Sequence, residues 1–197
     1  MIKGIQYRSR LFYQTQTLIK LGPAWQHRFR LAAAHIPEDV SVLDVCAGPG
    51  DLHRHLPSGC RYTALDASPD FTRHMTARQI PCLVHDLTRS LDAIDGHFDV
   101  AVMIISLCHF GHARAQSLLS ELTRLADKVV IVEEITENVR PEGSRLQRTM
   151  NFLTATDYAS SYSILSATEF KRIVTAAGYH YQRADLRYAV GIYERED

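Results

Sequence analysis

The sequence lacks an excess of charge of either sign, because 22 lysines and arginines stand against 22 aspartates and glutamates in 197 residues. Such a balance gives no electrostatic attraction to nucleic acid or to an anionic bilayer. The first thirty residues also lack a continuous apolar run, since basic residues interrupt them. Neither a secretory signal nor a transmembrane helix fits that segment. We therefore expect a cytoplasmic protein that does not bind nucleic acid and has no integral membrane segment.

Paired cysteines are missing as well. The four cysteines are widely spaced along the chain: Cys46, Cys60, Cys82 and Cys108. Without a CxxC pair, neither a zinc ribbon nor a disulfide framework is supported. The pairs His53-x-His55 and His109-x-x-His112 lack a third ligand at a recognisable spacing, so we predict no metal site.

Short apolar runs alternate with helical patterns along the chain. Five runs rich in Val, Ile and Leu have the length of buried strands: 40–45, 61–65, 82–84, 98–105 and 128–133. Helical spacing appears in 68–78, 113–126 and 167–177. Segments 179–185 and 187–194 are joined too closely for a crossover helix and predict an antiparallel hairpin. The pattern predicts one α/β domain with a Rossmann-like seven-stranded sheet, mostly parallel with the last strand antiparallel, and helices on both faces.

The domain divides into four parts in sequence order. These are an N-terminal helical cap at 1–38, a core at 39–134, a lid insertion at 135–165, and a closing helix and hairpin at 166–197. Aromatic residues of the cap and the insertion are candidates to cover an apolar or aromatic substrate. We single out Tyr7, Tyr13, Tyr158 and Tyr162. Ordinary helix packing is an equally good explanation for them.

A glycine-rich turn follows the first strand, in the run VLDVCAGPGDL. Gly48 and Gly50 let the backbone approach a ligand that a Cβ atom would block. Asp44 lies just before the turn, where a carboxylate would repel phosphates and favour a cationic ligand. S-adenosylmethionine (SAM), which carries an ammonium and a sulfonium, is such a ligand. A lone glycine-rich turn is as often structural, so the residues downstream matter.

Two further acids end the next two predicted strands. Asp66, in YTALDASPDF, is placed to accept hydrogen bonds from both hydroxyls of a ribose. Asp86, in CLVHDLT, is placed to accept a hydrogen bond from an adenine amino group. The alternatives are an N-capping turn with Ser68 and a solvated loop, respectively. Three acids at the carboxyl ends of successive strands line the edge where open α/β sheets bind ligands.

These three motifs and FDVAVMIISLCHF, in this order, resemble motifs one to four of the class I SAM-dependent methyltransferases over residues 40–134. GPAWQHRFR, GPGDL and LCHF are most similar to the ubiquinone/menaquinone C-methyltransferase group and its small-molecule relatives. The resemblance implies SAM as cofactor and 39–134 as the SAM-binding core. The cofactor site that the resemblance implies comprises Asp44, Cys46, Ala47, Gly48, Gly50, Asp66, Ala67, Ser68, Asp86, Leu87, Met103 and Ile104.

The sequence departs from the family pattern at two places. Cys46 occupies the first glycine position of the acid-x-Gly-x-Gly-x-Gly turn, so the backbone there must tolerate a Cβ atom. Residues 125–128 lack the usual Pro-Gly-Gly before the fifth strand. We expect the first departure to shift the turn slightly and neither to abolish SAM binding.

His109, just past the fourth strand, is the candidate general base for an oxygen or carbon nucleophile. The alternative is a histidine that packs beneath the lid. Residues 105–108 do not form the Asn/Asp-Pro-Pro-aromatic motif of amine-directed nucleic-acid methyltransferases. We predict methyl transfer to an O, N or C nucleophile of a small molecule. A lipid or protein methyltransferase and a non-catalytic SAM-binding subunit stay open, as do the acceptor and the oligomeric state, with a homodimer among the options.

Overall fold

The structure, a computed structural model, describes residues 25–136 and 164–196. Its helices are α1 His27–Ala33, α2 Pro69–Ala77, α3 His112–Leu125 and α4 Ala167–Ala176. Its strands are β1 Ser41–Val45, β2 Arg61–Asp66, β3 Cys82–Val84, β4 Phe98–Ile104, β5 Ala126–Thr136, β6 Leu165–Ser166, β7 His180–Arg183 and β8 Tyr188–Glu194.

The main sheet has seven strands in the order β3-β2-β1-β4-β5-β8-β7. Strands β1 to β5 are parallel, and β8 runs antiparallel to both β5 and β7. The two-residue strand β6 pairs only with the end of β5. The predicted fold class is therefore confirmed. Strand order reverses between β1 and β4, which makes the carboxyl end of β1 the expected ligand site of such a sheet.

Apolar residues cover both faces of the sheet, which explains why its strands are continuously apolar instead of alternating. One core cluster joins Leu43, Met103 and Ile131 to helices α3 and α4. The other joins Val42, Val102 and Val130 to α1 and α2. Neighbouring strand residues thus enter opposite cores, as the period of two requires.

Local capping signals set the ends of two helices. The Ser68 hydroxyl accepts from the Phe71 amide at the start of α2. At α4, Ser166 and Glu169 form a reciprocal capping box, in which each side chain accepts from the other residue's backbone amide. Gly178 follows α4 at φ +84°, a left-handed conformation that ends helices. These signals fix the start of α2 and both ends of α4.

The glycine-rich turn leads into a four-residue 3-10 helix, Asp51–Arg54. Two boundaries differ from the sequence-based expectation. Helix α3 ends at Leu125 and β5 begins at Ala126, so the absent Pro-Gly-Gly corresponds to the absence of any separate turn. Strand β4 ends at Ile104, because Ile105 has φ +47° and leaves the extended conformation.

The predicted substrate-covering residues Tyr7, Tyr13, Tyr158 and Tyr162 lie outside the described residues, as does 137–163 of the predicted lid insertion. Their assignment stays a prediction. Within 25–136 and 164–196, no helix is both long and apolar enough to cross a membrane.

Candidate functional site

The glycine-rich turn lies at the carboxyl end of β1, where the strand order reverses. Cys46, Gly48 and Gly50 have φ values of +61°, +58° and +79°. A Cβ atom on Gly50 would lie 3.1 Å from Sδ of Met75, so glycine there lets α2 pack closely. A non-glycine residue in this region costs about 1–2 kcal/mol, which Cys46 bears while its side chain packs against the core.

Asp66, at the end of β2, links the glycine-rich turn to the start of α2 through its two carboxylate oxygens. Oδ2 accepts from the Gly48 amide at 2.8 Å, and Oδ1 accepts from the Ser68 amide at 2.7 Å. Burial raises the pKa of Asp66 to about 6, while these backbone bonds oppose the rise. The carboxylate therefore takes part in the turn at the start of α2, which the sequence left as the alternative, and also reaches the β1 turn where a ribose is expected.

Asp44 is buried beneath the turn and is paired with Tyr62 of β2. The Tyr62 hydroxyl donates to Oδ2 of Asp44 at 2.6 Å. Burial raises the pKa of Asp44 to about 7; the tyrosine bond opposes this, and the negative charges of Asp66 and Asp51 add to it. A cation bound nearby would favour the ionised form of Asp44.

A small cleft opens beside Asp44. It is lined by Arg28, Phe29, Asp44, Cys46, Ala47, Pro49, Asp51 and Ile104. Four of the sequence-predicted site residues are thus brought together there, namely Asp44, Cys46, Ala47 and Ile104. Met103 instead packs in the core on the opposite face of the sheet.

Arg28 and Asp51 line this cleft and were not singled out from the sequence. Both are buried, with 5% and 8% of their surface exposed. Among the described residues, neither Nε of Arg28 nor Oδ2 of Asp51 has a hydrogen-bond partner. The Arg28 guanidinium lies 4.8 Å from the centre of the Phe29 ring. Buried polar atoms normally have partners, so these two groups point to a polar ligand in the cleft.

Asp86 and Leu87 follow β3 at the same edge of the sheet. Oδ1 of Asp86 accepts from the amide and the hydroxyl of Thr88, at 2.9 Å and 2.6 Å. Leu87 is buried, with 3% exposed. This turn agrees with the loop alternative for Asp86, and the adenine contact stays a prediction.

His109 ends a 3-10 helix, Leu107–His109, directly after β4, and it is half-buried. Glu133 of β5, which is 1% exposed, accepts from the Leu107 amide at 2.9 Å. Burial raises the pKa of Glu133 to about 7, against the opposing bond from the Cys108 thiol. Glu133, which the sequence analysis missed, thus fixes the turn that carries His109.

The other three histidines considered for a metal site contact protein side chains. His53 and His55 contact aromatic rings, and His112 contacts the guanidinium of Arg172. The rings of His53 and Tyr62 lie 5.2 Å apart, and those of His55 and Phe29 5.4 Å apart. Nε2 of His112 lies 2.6 Å from Nη2 of Arg172. In the part of the chain that the structure describes, no three His, Cys, Asp or Glu residues are arranged to hold a metal ion.

Comparison with known proteins adds independent findings. A family model described as a methyltransferase domain matches residues 42–128. Sequence comparison with curated proteins finds no match. Human N-acetylserotonin methyltransferase in complex with SAM is similar in structure, with a TM-score of 0.66, 14% identity, and coverage of 97% of this chain and 58% of that chain.

Two further structures are similar. The DhpI complex with S-adenosylhomocysteine (SAH) has a TM-score of 0.70 and 18% identity, and the alignment covers 97% of this chain and 94% of that chain. CalO1, a methyltransferase in calicheamicin biosynthesis with SAH bound, has a TM-score of 0.62 and 21% identity, and the alignment covers 95% of this chain and 57% of that chain. This chain therefore spans under three fifths of the human enzyme and of CalO1.

None of these three proteins is named as a quinone methyltransferase, so that finer assignment stays a prediction. The coarser assignment, to a methyltransferase domain, is supported by the family model. Residues 42–128, which match the methyltransferase domain, also build the turn and the three acids at the carboxyl edge of the sheet. We conclude that residues 42–128 match a methyltransferase domain, within a sheet fold that this chain shares with methyltransferases of known structure.

Proposed function

We propose that this protein transfers a methyl group from SAM to a small-molecule acceptor. The observation that carries the proposal is the charge pattern of the cleft at the end of β1, where buried Asp44 and Asp51 line one site with buried Arg28. The methionine end of SAM carries both an ammonium and a carboxylate. Carboxyl groups suit the first, and a guanidinium suits the second through paired hydrogen bonds.

Other residues around the cleft support this ligand. Asp66 fixes the Gly48 amide of the turn beside Asp44. The ring of Phe29 offers an apolar wall next to the guanidinium. SAM, when bound, supplies a methyl group on a sulfonium. The protein's part is to align this donor with the acceptor and to exclude water.

A small-molecule acceptor is supported by the names of structural neighbours. N-acetylserotonin methyltransferase and mitomycin 7-O-methyltransferase are both named for small acceptors. For this chain we propose an O, N or C nucleophile at the mouth of the site, next to the turn that carries His109. Glu133 beneath that turn orders it, since one of its oxygens holds the Leu107 amide.

Direct binding tests the cofactor assignment. We expect titration calorimetry to show binding of SAM and SAH and much weaker binding of NAD, because the carboxyl of Asp44 disfavours a pyrophosphate beside the turn. Tighter binding of NAD than of SAH would remove the proposal. Binding of SAH without formation of SAH from SAM in the presence of candidate acceptors would favour the non-catalytic subunit.

His109→Asn tests the general base. Asparagine keeps a polar side chain of similar reach but takes up no proton near neutral pH. If His109 is the base, we expect turnover to fall by about 10²- to 10⁴-fold and the acidic limb of the pH profile, near pH 6.5, to vanish, while SAH affinity stays nearly unchanged.

His112→Asn is the matched control, because His112 is three residues away at the start of α3 and contacts Arg172. We expect its turnover and pH profile to match those of wild type. If His109→Asn keeps turnover within a few fold of wild type with the same acidic limb, His109 only packs, and catalysis rests on positioning.

A further inference from the structure

One side-chain pair of helix α3 holds the backbone of residues 87–91, in the loop that leaves β3. Arg114 donates through Nε to the Leu87 carbonyl at 2.8 Å and through Nη2 to the Arg89 carbonyl at 2.7 Å. Its partner Glu121 accepts from the Leu91 amide at 2.9 Å. Three backbone groups of the loop thus depend on two side chains.

The pair itself is tight and largely removed from solvent. The guanidinium contacts both carboxylate oxygens of Glu121, and Nη1 also donates to the Ser117 hydroxyl. Glu121 is 8% exposed. Burial raises the pKa of Glu121, but the Arg114 and Leu91 bonds outweigh it and hold the pKa below its usual value. A planar guanidinium that bridges a carboxylate and two carbonyls fixes direction as well as distance.

The loop has little other support from secondary structure. Between β3 and β4 the described chain forms only one short 3-10 helix, Leu91–Ala93. Leu87 and Leu91 are buried, while the three residues between them, Thr88, Arg89 and Ser90, are exposed. Such a segment would sample several conformations if its carbonyls lost their partners.

We propose that Arg114 and Glu121 are positioning residues that set the adenine end of the cofactor site by fixing the backbone of the loop that carries Asp86 and Leu87. The proposal rests on the proposed function, since it takes SAM to bind at this edge. Neither residue is placed against the cofactor, so both act through the loop.

The test compares two ligands that differ at the adenine amino group. Calorimetry would measure the affinities of SAH and of S-inosylhomocysteine, in which a carbonyl replaces that amine and the neighbouring N1 carries a proton. We expect the wild type to prefer SAH by about ten-fold, the value of one good hydrogen bond. In Arg114→Lys, which keeps the charge but loses the planar fork, we expect SAH affinity to fall by about ten-fold and the preference to shrink toward one.

Arg124→Ala is the matched control, because Arg124 of the same helix pairs with Asp92 of the same connection in an exposed ion pair. We expect it to keep the wild-type preference. If Arg114→Lys does not fold by circular dichroism, Glu121→Gln, which keeps an oxygen for the Leu91 amide, gives the same comparison.

If Arg114 and Glu121 only stabilise the fold, substituting either one would lower the unfolding temperature and leave the ratio of the two affinities unchanged. A folded Arg114→Lys or Glu121→Gln protein with the wild-type ratio therefore overturns the positioning role and leaves the proposed function intact. Failure of the wild type to bind SAH overturns both.

Discussion

Asp66→Ala is expected to weaken SAH binding by about 2 kcal/mol or more, roughly thirty-fold, because it removes charge-assisted hydrogen bonds in a partly buried site. Two effects combine. The carboxylate is the predicted partner of the ribose, and it also fixes the amides of Gly48 and Ser68. Titration calorimetry with SAH measures the loss.

Asp99→Ala is the control for this prediction. Asp99 is the second residue of β4, at the opposite edge of the sheet, where one of its oxygens accepts from both the amide and the hydroxyl of Ser41 at 2.6 Å. It therefore loses a comparable set of bonds without touching the cofactor site, and we expect SAH affinity to be unchanged. An Asp66→Ala protein that is folded by circular dichroism and binds SAH as wild type does would show the ribose assignment to be wrong.

The ligand-free protein is expected to lose stability as the pH rises from about 5.5 to 8. Asp44 and Glu133 have pKa values of about 7 in the folded protein, because burial disfavours their charged forms, against usual values of 3.8 and 4.5. The folded state therefore retains protons that the unfolded state has released. This advantage of the folded state is complete at low pH and is lost as the pH rises through 7, by about 2 kcal/mol for each of these two carboxyls over this window. Asp66, whose pKa burial raises to about 6, adds a smaller loss in the same direction.

Two histidines act in the opposite direction. Burial lowers the pKa of His35 and of His55, so their contribution to stability grows as the pH rises. Both are only half-buried, and we expect their effect to be the smaller one. Urea unfolding at pH 5.5, 7 and 8 measures the free energy of unfolding directly.

Two comparisons make the pH prediction specific. Glu133→Gln should remove about half of the decline, since a neutral amide has no proton to lose. Saturating SAM should flatten the decline further, because a cation beside Asp44 favours its ionised form. A free energy of unfolding that rises steadily from pH 5.5 to 8 in the ligand-free wild type would contradict the assignment.

The strands, most of the helices and the fold class could be predicted from the sequence because they depend on local patterns. Buried parallel strands are short apolar runs, and helix ends carry their own signals, as Ser166 and Gly178 do. The resemblance around VLDVCAGPGDL likewise depended on neighbouring residues in one turn. Boundaries were less certain where no local signal exists, as between Leu125 and Ala126, where helix passes directly into strand.

The partners of the site were decided by the tertiary structure. Tyr62 and Asp44 are 18 positions apart, and only the parallel register of β1 and β2 brings the hydroxyl to the carboxylate. Arg114 reaches Leu87 across 27 positions because α3 packs beside the loop. No periodicity encodes such pairs, since each depends on how two separate elements are docked.

The sequence by itself thus determined the elements, their order and the acids at the carboxyl ends of three strands. The tertiary structure decided which of those acids are buried, what holds them, and that Arg28 lines the same cleft as Asp44. The physical reason is that propensity and hydrophobic period act over a few residues. Burial, pKa and hydrogen-bond partners depend on groups that come together only when the sheet and its helices pack.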